Sequence, residues 1–231
     1  MLVCLTFNLS AQSEEEAPST FAFSLNMDNA FGFNPAVFGS FGLNEKVSFT
    51  YYGIFWTNHD YTANGLDAWL ETGVGLGFPV GSKLYLNPSI GFTHGNLLSN
   101  TPVGGAFEGI VPNLAGFYTG DIFEAEIYAG YYAALKDDPN TISSDFLLYW
   151  IYPGVRITDK FSAGLHYEQF YLAKDDTGDS GSLYQWVGAY LKFTVGDKYT
   201  FRLSAGENLN DDAGAVYSPS FYKLSVFVPL L

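Results

Sequence analysis

Histidine and serine are the residue types from which a hydrolytic site would be built, and the sequence offers few candidates. His59, His94 and His166 are the histidines of the chain. His94 has Ser99 downstream in the same polar stretch, and a histidine that activates a serine is the basis of acyl transfer. His166 shares a strand face with Glu168, so these two are either an acid–base pair or simply two polar groups. No nucleophile elbow, phosphate loop or zinc motif surrounds any of them, so we expect no catalytic residue and no cofactor.

Clustered carboxylates are the second group with possible chemistry. They occur at Asp137–Asp138, Asp175–Asp176–Asp179 and Asp211–Asp212. Carboxylates suit Ca²⁺ or Mg²⁺, but the spacing matches no calcium-loop motif, which favours a solvated acidic rim over a metal site. The formal net charge of −14, with only ten basic residues, argues against nucleic acid as a partner, because phosphate binding needs Lys and Arg.

The first residues differ in character from the rest of the chain. Residues 2–12 (LVCLTFNLSAQ) have the short apolar run and small, polar end of a signal peptide, so we interpret 1–12 as a signal-peptide remnant; a short buried strand is the alternative. Residues 13–19 form an acidic linker. Cys4 is the single cysteine, so removal of the remnant would leave no thiol chemistry. Residues 20–231 contain no internal linker and predict one domain.

Apolar and polar residues alternate with a period of two along residues 20–231, which predicts strands. Aromatic residues make up 18% of the chain and glycines number 25, as is typical of many short strands. No stretch of about 18 uncharged apolar residues indicates a membrane-spanning helix. The predicted strands are 20–28, 35–43, 46–57, 66–78, 83–93, 107–118, 121–134, 145–157, 161–172, 183–195, 199–207 and 217–230. Four prolines inside them predict bulges or misplaced boundaries: Pro88, Pro112, Pro153 and Pro219.

The connections between these strands alternate between two kinds. The tight turns, rich in Asn, Asp and Gly, are 43–46, 79–83, 118–121, 158–160 and 196–198. The longer polar connections are 28–34, 57–65, 94–105, 136–144, 174–182 and 207–215. Short periplasmic turns alternating with long external loops are typical of bacterial outer-membrane barrels. We therefore predict an all-β fold, a single closed antiparallel up-and-down transmembrane β-barrel of about twelve strands.

One face of each predicted strand is apolar and the other is polar. In strand 183–195, for example, Val187 and Leu191 oppose Trp186 and Lys192. A Lys or Arg in the middle of the lipid face would cost about 2–4 kcal/mol, and the basic residues within strands fall on the polar face. The apolar faces are therefore predicted to contact lipid and the polar faces to line the interior. The polar residues that fall on the apolar side lie near long loops: Glu108, Asp145, Gln169 and Gln185.

The interior charges are the strongest functional indication in the sequence. Acids and bases lie on different strands, so a transverse field across a narrow lumen would orient solutes; the alternative is a filled interior in which the charges pair. The predicted pore-lining residues are Asp67, Glu71, Glu124, Glu126, Arg156, His166, Glu168, Tyr190, Lys192, Arg202 and Lys223. Tyrosines and tryptophans of the polar faces could stack on sugars, but filler for a constricted interior is the favoured interpretation: Tyr52, Trp56, Trp69, Tyr128, Tyr132, Trp150, Tyr152, Tyr184, Trp186 and Tyr190.

Four segments resemble an uncharacterised, porin-like family of bacterial outer-membrane β-barrel proteins. They are NPAVFGSFGLNEKVSFTYYGIFWT (34–57), GIVPNLAGFY (109–118), EIYAGYYAAL (126–135) and DFLLYWIYPGVRITDKFSAGLHYEQF (145–170). The likeness covers about residues 20–231. It implies the barrel fold and an outer-membrane location, and it transfers no activity and no site.

These features predict a passive outer-membrane channel for small hydrophilic solutes, with selectivity set by a charged lumen. One alternative is a non-conducting barrel that serves as a surface receptor, adhesin or structural protein. A second is a membrane-embedded lipid hydrolase that uses His94 or His166. The expected partners are outer-membrane lipid and lipopolysaccharide, small hydrophilic solutes and the barrel-assembly machinery.

Overall fold

The computed structural model of the protein describes residues 19–57, 68–99, 105–135, 143–196, 198–210 and 218–230. These residues form β1 (Ser19–Asp28), β2 (Gly32–Asn44), β3 (Val47–Thr57), β4 (Ala68–Val80), β5 (Leu84–Gly95), β6 (Gly105–Thr119), β7 (Phe123–Ala134), β8 (Ser144–Thr158), β9 (Phe161–Asp175), β10 (Gly181–Val195), β11 (Tyr199–Asn208) and β12 (Ser220–Pro229). The predicted signal-peptide remnant, and the predicted linker up to residue 18, lie outside the described residues. Within the described ranges there is no helix long and apolar enough to span a membrane.

The strands pair in sequence order, each antiparallel to its neighbours, and β1 closes the sheet by pairing with β12. This seam runs from Ala22 opposite Pro229 to Asp28 opposite Lys223. A closed sheet has no edge of unpaired peptide groups, and hydrocarbon tolerates no such edge. The prediction of a single closed antiparallel barrel of twelve strands is confirmed.

The alternation of side chains gives the barrel an apolar outer wall. On β11, Leu203 is 50% exposed whereas the adjacent Ser204 faces inward and is 1% exposed. Leu203 lies between Leu191 of β10 and Leu224 of β12, which are also exposed. The shortest strands, such as β1, β11 and β12, have 10 residues, which matches the roughly 9–11 residues that a tilted strand needs to cross a bilayer. The outer wall therefore contacts lipid, and the protein is a barrel of the bacterial outer membrane.

Short turns join the strands at the periplasmic end, as the sequence predicts. They connect β2 to β3, β4 to β5, β6 to β7, β8 to β9 and β10 to β11. Two neighbouring turns are also linked by an ion pair, in which Lys83 donates a 2.8 Å hydrogen bond to Asp121. This hydrogen bond holds the pKa of the Asp121 carboxyl below its usual value.

The first external connection is much shorter than predicted. The sequence indicates a polar loop over 28–34, but only residues 29–31 separate β1 from β2. The Asp28 carboxylate accepts hydrogen bonds from the backbone N–H groups of Ala30 (2.9 Å) and Phe31 (2.7 Å), and Gly32 adopts a φ of +60°. These interactions reverse the chain within three residues. The strict alternation of short and long connections is therefore wrong at this position.

The strand bounds agree with the predicted ones to within three residues, but only one of the four prolines, Pro219, shows a predicted effect, namely a misplaced boundary. Pro88, Pro112 and Pro153 lie inside strands whose register is unbroken around them. A proline removes one donor from the ladder without adding a residue, so local pairs are lost and the register is kept. Pro219 lies just before β12, where the predicted boundary was too early.

A charge on the outer wall tests the lipid contact. We expect Leu203→Arg to lower the free energy of unfolding in liposomes by about 2–4 kcal/mol, because the guanidinium would lie in mid-bilayer. Leu209→Arg is the matched control, since Leu209 follows the external end of β11 and its cost should be about 0–1 kcal/mol. Urea unfolding followed by tryptophan fluorescence measures both. Equal costs at the two positions would contradict a lipid-facing wall.

Candidate functional site

Aromatic side chains fill the extracellular half of the barrel interior. Phe31 extends inward from the β1–β2 turn, and its ring centroid lies 4.9 Å from that of Trp56 on β3, 6.4 Å from Trp69 on β4 and 5.7 Å from Phe170 on β9. Because β4 and β9 are on opposite sides of the barrel, this one ring bridges the lumen. The set is called here the aromatic layer and consists of Phe31, Trp56, Trp69, Phe170, Tyr184, Trp186 and Phe221.

The aromatic layer is packed by face-to-face contacts on the β10–β12 side. Tyr184 and Trp186 stack at 4.2 Å, and Trp186 and Phe221 stack at 4.8 Å with their planes only 5° apart. None of the members is more than 9% exposed. Among the described residues, these buried rings in mutual contact leave no aqueous path at this level, so their packing supports the interpretation of these side chains as filler.

Phe31 is fixed in the lumen by polar contacts to its backbone. Besides the Asp28 carboxylate, which accepts from its N–H, the Thr57 hydroxyl donates to the Phe31 carbonyl oxygen at 3.0 Å. The second carboxylate oxygen of Asp28 lies 3.6 Å from the Lys223 ammonium across the β1–β12 seam. The position of Phe31 therefore depends on the Asp28–Lys223 ion pair at the β1–β12 seam.

The charges of the periplasmic half are paired across the lumen. Lys192 of β10 donates to Glu124 of β7 at 2.6 Å. Arg202 of β11 contacts both carboxylate oxygens of Glu126, at 2.8 and 3.3 Å, and its guanidinium carbon lies 4.1 Å from the centroid of the Tyr152 ring. These partners are three and four strands apart around the wall. The interior charges are thus neutralised in pairs, as in the alternative of a filled interior.

A third ionic group lies between these pairs and the aromatic layer. Lys223 donates to Glu168 at 2.8 Å, and His166 Nε2 lies 3.2 Å from the same carboxylate oxygen. Tyr184 donates to the other oxygen of Glu168 at 2.8 Å. The predicted proximity of His166 and Glu168 is observed, but both side chains are 1% exposed. A buried pair without access to a substrate is not arranged for acid–base catalysis.

Glu71 has a different environment from the other interior acids. Its carboxylate accepts hydrogen bonds from Tyr52 (2.7 Å), Trp56 Nε1 (3.2 Å) and Tyr132 (3.0 Å), and these are neutral donors. The described residues provide no ion pair to it. Gly91 makes room for this arrangement, because a Cβ there would lie 2.3 Å from the Tyr52 hydroxyl and 3.0 Å from Glu71. The carboxylate links β4 to β3 and β7 just below the aromatic layer.

Toward the periplasm the interior is open to water. Phe38, Phe117 and Phe227 point inward, as their register partners Tyr52, Glu126 and Thr200 do, yet they are 38%, 43% and 41% exposed. We call this water-accessible region the periplasmic vestibule. A cavity of about 80 Å³ lies in its wall between Glu124, Glu126, Lys192 and Arg202. This volume holds about two or three water molecules.

The other predicted pore-lining residues occupy the wall between these groups. Tyr190 donates to Glu124 at 2.9 Å, and its ring covers Gly154, where a Cβ would meet the hydroxyl at 1.9 Å. Arg156 lies at the periplasmic end, where it donates to the Gly120 carbonyl oxygen at 2.9 Å. Asp67 lies outside the described residues. Ten of the predicted side chains thus belong to the inner wall, and their role in conduction stays a prediction.

The structure does not bring His94 and Ser99 together as a catalytic pair. His94 Nδ1 accepts from the Phe107 N–H at 3.2 Å, and Nε2 contacts the Thr72 hydroxyl at 3.1 Å on the outer wall. Ser99 donates to Glu108 at 2.8 Å. An Nδ1 that accepts leaves the proton on Nε2, so the imidazole is in the wrong tautomer to activate Thr72. His59 lies outside the described residues.

Several predicted acidic positions hold loops in place. Glu108, one of the misfits on the apolar side, accepts hydrogen bonds from the backbone N–H groups of Leu97, Leu98 and Ser99. Asp175 accepts hydrogen bonds from the backbone N–H groups of Thr177 and Asp179. Asp176 accepts one from the backbone N–H of Ser143. Four other predicted acids lie outside the described residues: Asp137, Asp138, Asp211 and Asp212.

Two residues that close the lumen were not identified from the sequence. The sequence predicts a polar external loop for Asp28 and Phe31, whereas the structure places both inside the barrel at 2% and 6% exposure. The signal for an inward position was the two phenylalanines of the DNAFGFN segment, because large aromatic side chains are usually buried and not exposed in a polar loop.

The wall and the interior define the class of the protein, a closed antiparallel transmembrane β-barrel of the bacterial outer membrane. Within that class, the sequence matches a family of unknown function, DUF6733, over residues 1–230, and the chain belongs to this family. No curated protein matches the chain.

Solved outer-membrane barrels have a similar fold. The COG4313 outer membrane channel from Pseudomonas putida F1 aligns with a TM-score of 0.61 at 10% identity, covering 95% of this chain and 99% of that chain. The NanC porin aligns with a TM-score of 0.56 at 8% identity, covering 90% of this chain and 98% of that chain. The KdgM porin aligns with a TM-score of 0.51 at 10% identity, covering 91% of this chain and 98% of that chain. At these identities the likeness concerns the fold.

Removal of one interior charge tests the pairing. We expect Arg202→Met to lower the free energy of unfolding by about 3 kcal/mol, because Glu126 would keep its charge without a cation. The double variant Glu126→Gln with Arg202→Met should recover much of this loss. Arg156→Met is the matched control and should cost less, since that side chain lies at the wet periplasmic end. Additive losses in the double variant would contradict the pairing.

Proposed function

We propose that the protein is an outer-membrane channel for small hydrophilic solutes that is closed at the aromatic layer in the present conformation. The periplasmic vestibule supplies an aqueous path through part of the barrel, and it ends at the ionic groups around Glu126 and Glu168. Between this path and the extracellular side lies the aromatic layer, whose central ring, Phe31, comes from a three-residue turn. The fold that the chain shares with the COG4313 channel and two porins supports the same proposal.

The observation that carries the proposal is the division of the lumen into an open half and a closed half. A barrel that served only as a scaffold would gain stability by filling its interior along the whole length. Here Phe38, Phe117 and Phe227 remain more than one-third exposed inside the barrel. Solute selection would arise from the Glu124–Lys192 and Glu126–Arg202 pairs, because they line the narrow end of the vestibule.

A non-conducting barrel is the second candidate, and the paired interior charges favour it. Ion pairs and buried rings would then hold the wall rigid for a receptor, adhesin or structural role. In that case alanine at Arg202 or Glu124 would lower stability and leave solute transport unchanged.

Planar-bilayer recording of pure, folded protein tests the channel. We expect the wild type to show rare or small conductance steps and Phe31→Ala to raise the conductance several-fold, because the ring that bridges the lumen is removed. Phe193→Ala is the matched control, since Phe193 lies on the outer wall of β10 at 44% exposure. Its conductance should equal that of the wild type.

The result that would overturn the channel is a folded Phe31→Ala barrel without conductance. Folding is checked independently by the heat-modifiable migration of the closed barrel on a gel. A second variant, Trp186→Ala, opens the same level from β10 and should act in the same direction. Absence of conductance in both folded variants would favour the non-conducting barrel.

A further inference from the structure

A group of polar side chains lies on the outer wall of β8, β9 and β10, where contact with lipid favours apolar residues. Register places Gln169 opposite Tyr149 on one side and Gln185 on the other, and all three point outward with Tyr167. Ser182 lies at the bulge near the start of β10. We call these residues the outer polar cluster: Tyr149, Tyr167, Gln169, Ser182 and Gln185.

Hydrogen bonds connect the outer polar cluster and leave part of its capacity unused. Tyr149 and Tyr167 donate to the Gln169 carbonyl oxygen, the latter at 3.0 Å, and Gln169 donates to Ser182 at 3.1 Å. Gln185 donates to the Tyr167 hydroxyl at 2.9 Å. Each amide thus uses one of its two N–H groups, and the Gln185 side-chain oxygen has no partner in the described part of the chain. The cluster can still donate to, and accept from, a ligand.

The strand lengths place the outer polar cluster at the outer-leaflet boundary. β8, β9 and β10 have 15 residues each, against 10 in β11 and β12. Since about 9–11 residues cross the bilayer, the longer strands rise above the hydrocarbon on the extracellular side. Counted from the periplasmic end, Tyr149, Gln169 and Gln185 lie near the level at which a ten-residue strand ends. Acyl chains meet headgroups at this level.

An apolar groove of about 350 Å³ adjoins the cluster on the same wall. Its lining includes Leu114, Ile127, Ala129, Leu147 and Tyr149 on the outer faces of β6, β7 and β8. The small side chain of Ala129 forms a depression between larger neighbours, with Leu114 and Tyr149 as its register partners. Tyr149 belongs to both the groove and the cluster. The groove lies in a wall that contacts lipid, so an acyl chain is the material available to fill it.

We propose that this surface binds one outer-leaflet glycolipid, with an acyl chain in the groove and sugar hydroxyl and acyl-amide groups on the outer polar cluster. The cluster contains amides, phenols and a hydroxyl and carries no charge, which suits hydroxyl and amide groups better than a phosphate alone. Lys174, a cation farther along β9, lies 3.6 Å from Asp145, which also accepts a hydrogen bond from Tyr131. The site faces away from the lumen, so it does not depend on the proposed channel.

Native mass spectrometry of the detergent-folded full chain tests this site. The probes are a rough-type lipopolysaccharide, a glucosamine-based glycolipid, and phosphatidylethanolamine, each at equal concentration. We expect the wild type to retain one glycolipid molecule and no phosphatidylethanolamine. Gln169→Leu with Gln185→Leu should reduce retention about tenfold or more, because two polar contacts are lost. Ala129→Trp should reduce it as well, because the indole fills the groove.

Tyr222→Phe is the matched control, since Tyr222 is an exposed tyrosine near the external end of the outer wall of β12. It should retain the glycolipid as the wild type does. The variants place apolar groups on a lipid-facing wall, so the barrel should fold, and heat-modifiable migration verifies this. Three results would each overturn the proposal. The wild type could retain phosphatidylethanolamine as well as the glycolipid, both variants could retain the glycolipid unchanged, or the spectra could show dimers in place of lipid adducts. Conductance of the same variants should equal that of the wild type, which separates this test from that of the channel.

Discussion

Hydrocarbon offers a peptide group no hydrogen-bond partner, and this constraint determines the architecture of the protein. Every strand must be paired on both sides, so the sheet has to close, and β1 does so by pairing with β12 from Ala22 to Asp28. The same constraint directs apolar side chains outward, as Leu191, Leu203 and Leu224 show. Because the side chains of a strand alternate, each outward residue has an inward neighbour. The polar content of the interior is therefore a consequence of the lipid contact outside.

The interior has to satisfy the groups that the wall directs into it. Charges pair across the lumen in the periplasmic half, where Arg202 contacts both oxygens of Glu126. Nearer the extracellular side the space is filled by rings, and Phe31 connects walls that no backbone hydrogen bond joins. The resulting division into an open vestibule and a closed aromatic layer is the feature that links the fold to a proposed function. A small change at the β1–β2 turn would act on this division directly.

Much of the wall was predictable from the sequence, because a period of two and regularly spaced turns are local signals. They gave the strand number and the inward position of residues such as Trp186, Tyr190 and Lys192. Which side chains meet across the lumen depends on the tilt and stagger of the whole barrel. No local sequence pattern determines these contacts. The pair Glu126–Arg202, four strands apart, was therefore not predictable, and neither was the inward turn of Phe31. Gln169 and Gln185 were visible as misfits, but their hydrogen-bonded network was not.

Adjacent residues of one strand face lipid and water in turn, and the channel and the lipid contact both depend on this alternation. Spin labels on single cysteines at Leu191 and Leu203, outside, and at Lys192 and Thr200, inside, test it in liposomes by collision with oxygen and with a water-soluble nickel chelate. Oxygen concentrates in hydrocarbon, so we expect strong oxygen collision at positions 191 and 203 and strong chelate collision at positions 192 and 200. Chelate access at 191 and 203, or the reverse pattern, would contradict it.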